Sequence, residues 1–412
     1  GVAAAVCWGG GLMISALGVS LHQLWLIWLG SGVIGGIGLG LGYISPVSTL
    51  IKWFPDRRGL ATGMAIMGFG GGAMIGTPLA ANLIDAYGVA QTFFIMGCIY
   101  LVAMTIGAFS YRVPAEGWKP QGWEPTVNNS TTMISSNHVH VDNAHKTPQF
   151  WLLWGVLCLN VSAGIGVLAV AKPMFQEIAA SNFDATVIGA IAAGFVALLS
   201  LSNIIGRIFW ASLSDFLGRK LTYAIFFSLG TALYLTAPWA GLNHYIATFV
   251  LITLIILTMY GGGFATIPAY LADIFGTQHV GAIHGRLLTA WSTAGIIGPM
   301  LMSYLREYQL GQGIAPAAAY NFSFKILALL LVIGFILNLL IKPVNQKFFM
   351  SEKQLKIEQA STANKKEILA KASTHTNTTV QKLLLPIAWL IVGLPITWGI
   401  LNALQKGIII FH

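Results

Sequence analysis

One arginine lies deep inside an apolar run of this sequence, and its chemistry is that of an anion site. Arg207 belongs to the stretch LSLSNIIGRIFWASLSD and precedes Asp215 by eight residues, about 12 Å along a helix. A guanidinium at that depth is costly in lipid and is expected to face a polar cavity. It can bind a carboxylate through two parallel hydrogen bonds. The alternative is that Arg207 extends to the membrane surface.

The elements that must position Arg207 are transmembrane helices. Charged residues make up only 8% of the 412 residues and hydrophobic residues 56%, whereas soluble domains have roughly a quarter charged residues. The 47 glycines suit helices whose backbones approach closely. Because a helix needs about 20 apolar residues to cross a bilayer, the sequence predicts ten spans and one more after a polar tail. They are 2–22, 24–51, 59–83, 89–110, 148–171, 186–212, 221–240, 244–273, 282–305, 321–341 and 383–405.

Basic residues in the short connections predict which helix ends face the cytoplasm. The stretch WFPDRRG places Asp56, Arg57 and Arg58 between two apolar runs, and we interpret it as a cytoplasmic turn. The remaining connections on that side are also basic, whereas those on the other side carry few charges. The basic residues are Arg112, Lys119, Lys146, Arg219 and Lys220.

Two polar segments separate the apolar runs. The loop 112–147 ends in Thr147 and Pro148, a helix cap followed by proline at the first helical position. We interpret the loop as a disordered linker, with a metal site at His138, His140 and His145 as the less favoured alternative. Eight lysines between residues 342 and 382 supply most of the net charge of +9. This charge indicates a solvated cytoplasmic face and no nucleic-acid partner.

The sequence contains an internal repeat. Residues 40–78 resemble residues 261–299, with Tyr43 matched to Phe264 and Phe69 to Trp291. Repeated halves are typical of secondary transporters, which bind substrate near the membrane midplane between them. The alternative is that glycine-rich membrane helices align through their composition alone.

Three motifs, WFPDRRGLATG, TPQFWLLW and SLSDFLGRK, together resemble the major facilitator superfamily, and within it the oxalate/formate antiporter family. The resemblance covers about residues 1–345. It implies an all-α membrane protein with the major facilitator fold of two pseudo-repeated helical halves, plus an extra C-terminal transmembrane helix. In the superfamily such cytoplasmic turns also latch a gate through ion pairs. That role is expected here for Asp56, Arg57, Arg58, Asp215, Arg219 and Lys220.

The resemblance also implies a division of the chain. Residues 1–111 are expected to be the N-terminal half, with helices resembling the third to sixth of twelve, so that the first two helices are missing. Residues 112–147 are the cytoplasmic central loop, and 148–345 the C-terminal half, resembling helices seven to twelve. Residues 346–382 are a basic cytoplasmic tail. The span 383–405 resembles single-helix accessory subunits, and a merely anchoring helix is the alternative.

Site residues follow from the same resemblance. Arg207 is at the position of the family's anion-binding arginine, but Trp291 stands where the family's oxalate carrier has a second cation, a lysine. One cation beside an aromatic wall suits a monocarboxylate, and so we expect formate, pyruvate or lactate as substrate. Four positions match binding-site aromatics, although each aromatic could equally serve packing. They are Tyr43, Phe69, Tyr260 and Phe264.

His284 is a candidate for proton coupling, because histidine titrates near neutral pH; hydrogen bonding at the membrane interface is the alternative. Every aspartate and glutamate lies in a loop or at a span end, which favours anion exchange or facilitated diffusion over proton symport. We therefore expect a secondary carrier, a monomer without cofactor or metal, in a bacterial inner or plasma membrane. Its substrate is a small organic anion, and its surroundings are the lipid bilayer.

Other functions remain as alternatives. The sequence lacks the clustered ligands and acid–base groups of an enzyme and the phosphate-binding run of an ATP-driven pump. We therefore expect no enzymatic activity. Oxalate/formate antiport, sugar or drug transport by the same superfamily, and a transport-inactive sensor or remnant remain open.

Overall fold

The computed structural model describes residues 1–114, 118–122, 135, 137–355, 357, 397–398, 400–401 and 404–405. Within these residues the protein is helical, and the only β contact is an isolated bridge between Val139 and Phe349. This confirms the all-α class. The ten main helices are α1 (Val2–Ser20), α2 (Leu24–Trp53), α3 (Arg58–Ser110), α4 (Pro148–Ile178), α5 (Ile188–Leu217), α6 (Arg219–Leu242), α7 (Ile246–Phe275), α8 (Val280–Leu287), α9 (Thr289–Gly311) and α10 (Tyr320–Leu340).

Eight stretches of these helices are long and apolar enough to cross a membrane, and the protein is an integral multi-pass membrane protein. The predicted spans 59–83 and 89–110 lie on either side of Gly88 in α3, where a φ of +78° interrupts the helix. Only the part Ile75–Ser110 is among the eight. The predicted span 282–305 is divided between α8 and α9. Arg306 and Glu307 make α9 less apolar than the other spans.

The start of α4 follows the sequence signal. The Thr147 hydroxyl accepts a hydrogen bond from the backbone N–H of Phe150 over 3.3 Å, and Pro148 occupies the first helical position. The side-chain cap satisfies one of the N–H groups that a helix start leaves without an intrahelical partner. The predicted helix cap is therefore confirmed.

Close helix packing accounts for part of the glycine content. At Gly206 in α5, an added Cβ would overlap the backbone of Thr258 in α7. At Gly298 in α9, it would overlap the carbonyl oxygen of Ser162 in α4. Helix backbones touch at both crossings, which is how transmembrane helices gain van der Waals contact without a hydrophobic driving force.

The division into halves at 1–111 and 148–345 stays a prediction. Of the central loop, residues 115–117, 123–134 and 136 lie outside the described residues. So do most of the predicted tail 346–382 and most of the predicted span 383–405.

Candidate functional site

Four aromatic side chains from the two copies of the repeat form a continuous row. Tyr43 of α2 contacts Phe264 of α7, with ring centroids 5.3 Å apart. Phe69 of α3 lies 5.1 Å from Tyr43, and Trp291 of α9 lies 5.8 Å from Phe264. Each repeat-matched pair thus occupies equivalent places on the two sides of the Tyr43–Phe264 contact.

Arg207 lies against the centre of this row. Its guanidinium carbon is 5.3 Å from the centroid of the Phe264 ring, a cation–π geometry. Nε donates to Asn203 Oδ1 over 3.1 Å, one helical turn earlier in α5. Nη1 donates to the carbonyl oxygen of Ile66 in α3 over 2.9 Å. Only 4% of Arg207 is exposed, so this side chain does not extend to the membrane surface.

The charge of Arg207 is not matched by an acid in the described part of the chain. Its hydrogen-bond acceptors there are an amide and a carbonyl oxygen. A buried cation without a counter-ion is costly, because desolvation is not repaid by an opposite charge. The arrangement therefore favours a bound anion at Arg207.

Tyr260 continues the site into the space between the helices α4, α5, α6, α7 and α10. Its hydroxyl lies beside the Trp291 side chain and close to Arg207. Behind it is a cavity of about 10 Å³, whose lining includes Asn160, Tyr234 and Tyr260. Among the described residues, Asn160 Oδ1 and the Tyr234 hydroxyl have no hydrogen-bond partner. The cavity is no larger than a single water requires.

Charged residues close the end of the molecule that is predicted to face the cytoplasm. Arg58 Nη1 contacts Asp273 Oδ1 at 2.9 Å, and Arg219 Nε contacts Asp273 Oδ2 at 3.0 Å. Arg219 also contacts Asp215 at 2.6 Å. Asp215 in turn accepts the backbone N–H groups of Gly59 and Leu60 over 2.9 and 3.0 Å. We call Arg58, Asp215, Arg219 and Asp273 the gate cluster, because it joins the start of α3 to α5, α6 and α7.

Three of the six residues expected in this gate lie elsewhere. Arg57 is exposed and is 3.8 Å from Asp56 in the same turn. Lys220 donates to the carbonyl oxygens of Leu339 and Ile341, and so it caps the end of α10. The structure does not bring these three side chains into the gate cluster.

His284 is buried in α8, with 2% exposed. Its ring lies 5.4 Å from that of Tyr43. Within the described residues, neither His284 Nε2 nor the Tyr43 hydroxyl has a hydrogen-bond partner. The side chain is therefore buried beside the aromatic row, and both its role in proton coupling and the alternative of hydrogen bonding at the membrane interface stay predictions.

Sequence analysis did not predict the contacts of Asp273 with the two arginines or of Asn203 with Arg207. Asp273 joins two arginines of the gate cluster, and Asn203 orients Arg207. A signal for Asp273 was available, because the internal repeat matches it to the basic residue Lys52. For Asn203 the signal was its spacing of four residues from Arg207, which places both on one helix face.

Apolar helices long enough to span a membrane, a buried arginine without an acidic partner in the described residues, and a repeat-related aromatic row are together typical of a membrane carrier. The family model of the Major Facilitator Superfamily matches residues 2–256 and 163–411. The chain belongs to this superfamily. The resemblance found in the sequence is thus confirmed, and so is the expectation that the protein is a transporter and not an enzyme.

Two relatives of the chain are named for the carriage of carboxylates. The chain is 27% identical over 314 residues to the oxalate:formate antiporter of Oxalobacter formigenes, covering 75% of this chain and 68% of that protein. It is 26% identical over 337 residues to apicoplast pyruvate carrier 1 of Toxoplasma gondii, covering 67% of this chain and 59% of that protein. The chain therefore spans about three fifths to two thirds of the length of these relatives.

A solved structure supports the fold. The fucose:proton symporter of Escherichia coli superposes with a TM-score of 0.57 over 83% of each chain, at 14% identity. This likeness extends to the architecture alone.

Proposed function

We propose that this protein moves a small monocarboxylate, of the formate, pyruvate or lactate class, across the membrane by alternating access and in exchange for another anion. The observation that carries the proposal is Arg207, a buried cation with no acidic partner in the described residues. The two relatives described above are named for oxalate, formate and pyruvate, which are all carboxylates.

The hydrogen bonds of Arg207 leave donors for a carboxylate. A guanidinium has five N–H donors, and two of them are used by Asn203 and the Ile66 carbonyl. The remaining donors can form the paired hydrogen bonds that guanidinium and carboxylate groups prefer. Phe264 and Trp291 then provide an apolar wall for a short organic tail.

One hydrogen bond suggests how binding is coupled to movement. The contact between Arg207 and the Ile66 carbonyl joins α5 to α3, which belong to different predicted halves. While this bond is in place, Nη1 has only one of its two N–H groups left for substrate. We infer that separation of α3 from α5 frees that donor, and that the carboxylate takes the place of the carbonyl oxygen.

Exchange is favoured over proton symport for a simple reason. The acidic residues of the described spans lie near helix ends, where Asp215 and Asp273 are already paired with arginines. An anion exchanger needs no carboxylate that gains and loses a proton, because the returning anion resets the positive site.

The test is counterflow in liposomes. Purified protein is reconstituted with internal unlabelled anion, and the uptake of labelled formate, pyruvate, lactate and oxalate is measured. We expect saturable monocarboxylate exchange that Arg207→Gln abolishes and Arg207→Lys weakens by roughly tenfold, since lysine lacks the paired donors. Arg57→Gln removes an exposed arginine and is the matched control, with unchanged uptake.

Two outcomes would contradict this proposal. Oxalate exchange at equal or better rates would show that one cation and an aromatic wall suffice for a dicarboxylate. Exchange that survives Arg207→Gln would place the anion site elsewhere.

A further inference from the structure

The segment His138–His145, which we call the strap, lies across the ends of α7 and α8 beside the gate cluster. The backbone N–H of Val139 donates to the carbonyl oxygen of Phe275 over 2.9 Å, and that of Met350 donates to the carbonyl oxygen of His138 over 2.8 Å. Val139 is fully buried. The strap is therefore docked on the helix bundle through both backbone and side chain.

Arg286 of α8 holds the second part of the strap. Its guanidinium donates to the carbonyl oxygen of Val141 over 2.8 Å and contacts Asp142 Oδ1 at 2.7 Å. It also lies 3.0 Å from His145 Nδ1. Arginine has only donors, so His145 Nδ1 must accept this bond. The docked strap thus requires His145 to be neutral.

The docked strap also requires His138 to be neutral, for a different reason. Its Nδ1 is buried without a hydrogen-bond partner in the described residues, and the groups that face it are His279 and Arg58. Burial, and then the charges of His279 and Arg58, hold the pKa of His138 below its ordinary value. Gly276 makes the docking possible, because an added Cβ there would overlap the His138 ring.

His140 and Asp142 are neighbours in the same part of the strap. His140 Nδ1 accepts the backbone N–H of Asp142 over 3.2 Å, which again needs a neutral ring. The Asp142 carboxylate lies 3.7 Å from His140 Nδ1. The hydrogen bond from Arg286, opposed in part by desolvation, holds the pKa of Asp142 below its usual range. Asp142 therefore stays ionised as the histidines titrate, with its charge matched by Arg286.

Ser135, three residues before the strap, contacts the gate cluster. The backbone N–H of Ser135 donates to the carbonyl oxygen of Asp273 over 2.7 Å, and the Asp273 side chain binds Arg58 and Arg219. His138 adds a second link through its position beside Arg58. Charge gained by His138 would act on the same arginine that closes the gate.

We propose that the strap is an acid-released latch, which stabilises the closed gate cluster while His138 and His145 are neutral and lets it open when they are protonated. Protonated His145 no longer accepts from Arg286 and repels it. Protonated His138 places a positive charge beside Arg58. On the predicted orientation, the latch senses the acidity of the cytoplasm.

The direction of the pH dependence follows from linkage. A released histidine titrates near its ordinary pKa of about 6.5, whereas docked His138 binds its proton only at lower pH. The released state thus binds more protons as the pH falls, and docking is favoured as the pH rises. The latch is fully formed above the ordinary histidine range and is lost progressively below it.

The experiment measures release without any substrate. In a background with Cys7, Cys98 and Cys158 replaced, a nitroxide at the exposed position 137 (Asn137→Cys) reports the mobility of the strap by continuous-wave EPR in nanodiscs. We expect an immobilised spectrum at about pH 7.5 and a predominantly mobile one at about pH 5.5, on either side of the ordinary histidine pKa.

Matched variants show whether His138 and His145 cause the change in mobility with pH. His138→Gln with His145→Gln removes both titrating rings while keeping an acceptor at 145, and the label should stay immobilised at both pH values. His22→Gln changes an exposed histidine between α1 and α2 and should leave the pH response intact. Equal immobilisation of the parent at both pH values would overturn the proposal. Release of the strap at low pH in the double variant would also overturn it. If the double variant does not fold, the same measurement is made on each single variant.

Discussion

Arg207 illustrates what one residue type predicts and what it does not. Its place within an apolar run predicts burial and an anionic ligand, because the energetic cost of the charge depends mainly on depth. Its acceptor on α3, the Ile66 carbonyl, is 141 residues away, and no local pattern in the sequence identifies a backbone oxygen as a partner. The aromatic row was predictable only as repeat-matched pairs, not as a continuous contact.

In the proposed site, Trp291 determines whether a substrate with one or with two negative charges is preferred. Trp291→Lys introduces a second cation on the far side of Phe264 from Tyr43. A hydrogen bond to a charged group contributes about 1.5–3 kcal/mol, so we expect oxalate to gain roughly tenfold or more in its ability to compete with labelled pyruvate. Competition in the liposome counterflow assay measures this ratio.

Trp291→Gln is the matched variant for that prediction, because it also removes the indole but adds no charge. We expect it to weaken pyruvate exchange without favouring oxalate. If both variants change the oxalate ratio equally, loss of the ring and not gain of a cation decides selectivity.

Helices were predictable to the extent that length and hydropathy define them. The predicted span 2–22 agrees with α1 at Val2–Ser20, and 186–212 with α5 at Ile188–Leu217. The boundary between the predicted spans 59–83 and 89–110 agrees with the break in α3 at Gly88, because a glycine with positive φ can turn the chain within one residue. The contact of Arg58 with Asp273 spans 215 residues of sequence, so it depends on how α3 and α7 pack.

Asp273 is the acid on which the gate cluster depends. It is 9% exposed and contacts both Arg58 and Arg219. Removal of one member of a buried ion pair costs about 3–5 kcal/mol, and Asp273→Asn should therefore favour the open gate. With a reporter cysteine at the buried position Ala211→Cys, the rate of maleimide labelling should rise at least about tenfold, since 1.4 kcal/mol corresponds to that factor.

The control variant for this prediction changes an acid of an exposed ion pair at the opposite end of the molecule. Glu307 contacts Arg306 at 3.0 Å and is 71% exposed, and exposed pairs contribute little. Glu307→Gln should leave labelling at position 211 unchanged. Unchanged labelling in Asp273→Asn as well would mean that hydrogen bonds from Gly59 and Leu60 to Asp215 close the gate without Asp273.

The charge distribution over the whole molecule supports one orientation in the membrane. At one end, Arg306 is balanced by Glu177 and Glu307. At the other end, basic residues exceed acids in the WFPDRRG turn and in the residues after α10. A surplus of lysine and arginine in short loops marks the cytoplasmic side. This assignment therefore decides which side of the membrane the gate cluster and the strap face.

Sidedness can be measured with two single cysteines in the cysteine-free background. Arg57→Cys lies in the turn before α3, and Gln312→Cys follows α9 at the opposite end; both positions are exposed. In intact cells, a membrane-impermeant maleimide should label Gln312→Cys and spare Arg57→Cys, and lysis should make both reactive. The reverse pattern would place the gate cluster outside. The strap would then respond to external acid, because its histidines face the same end as Arg57.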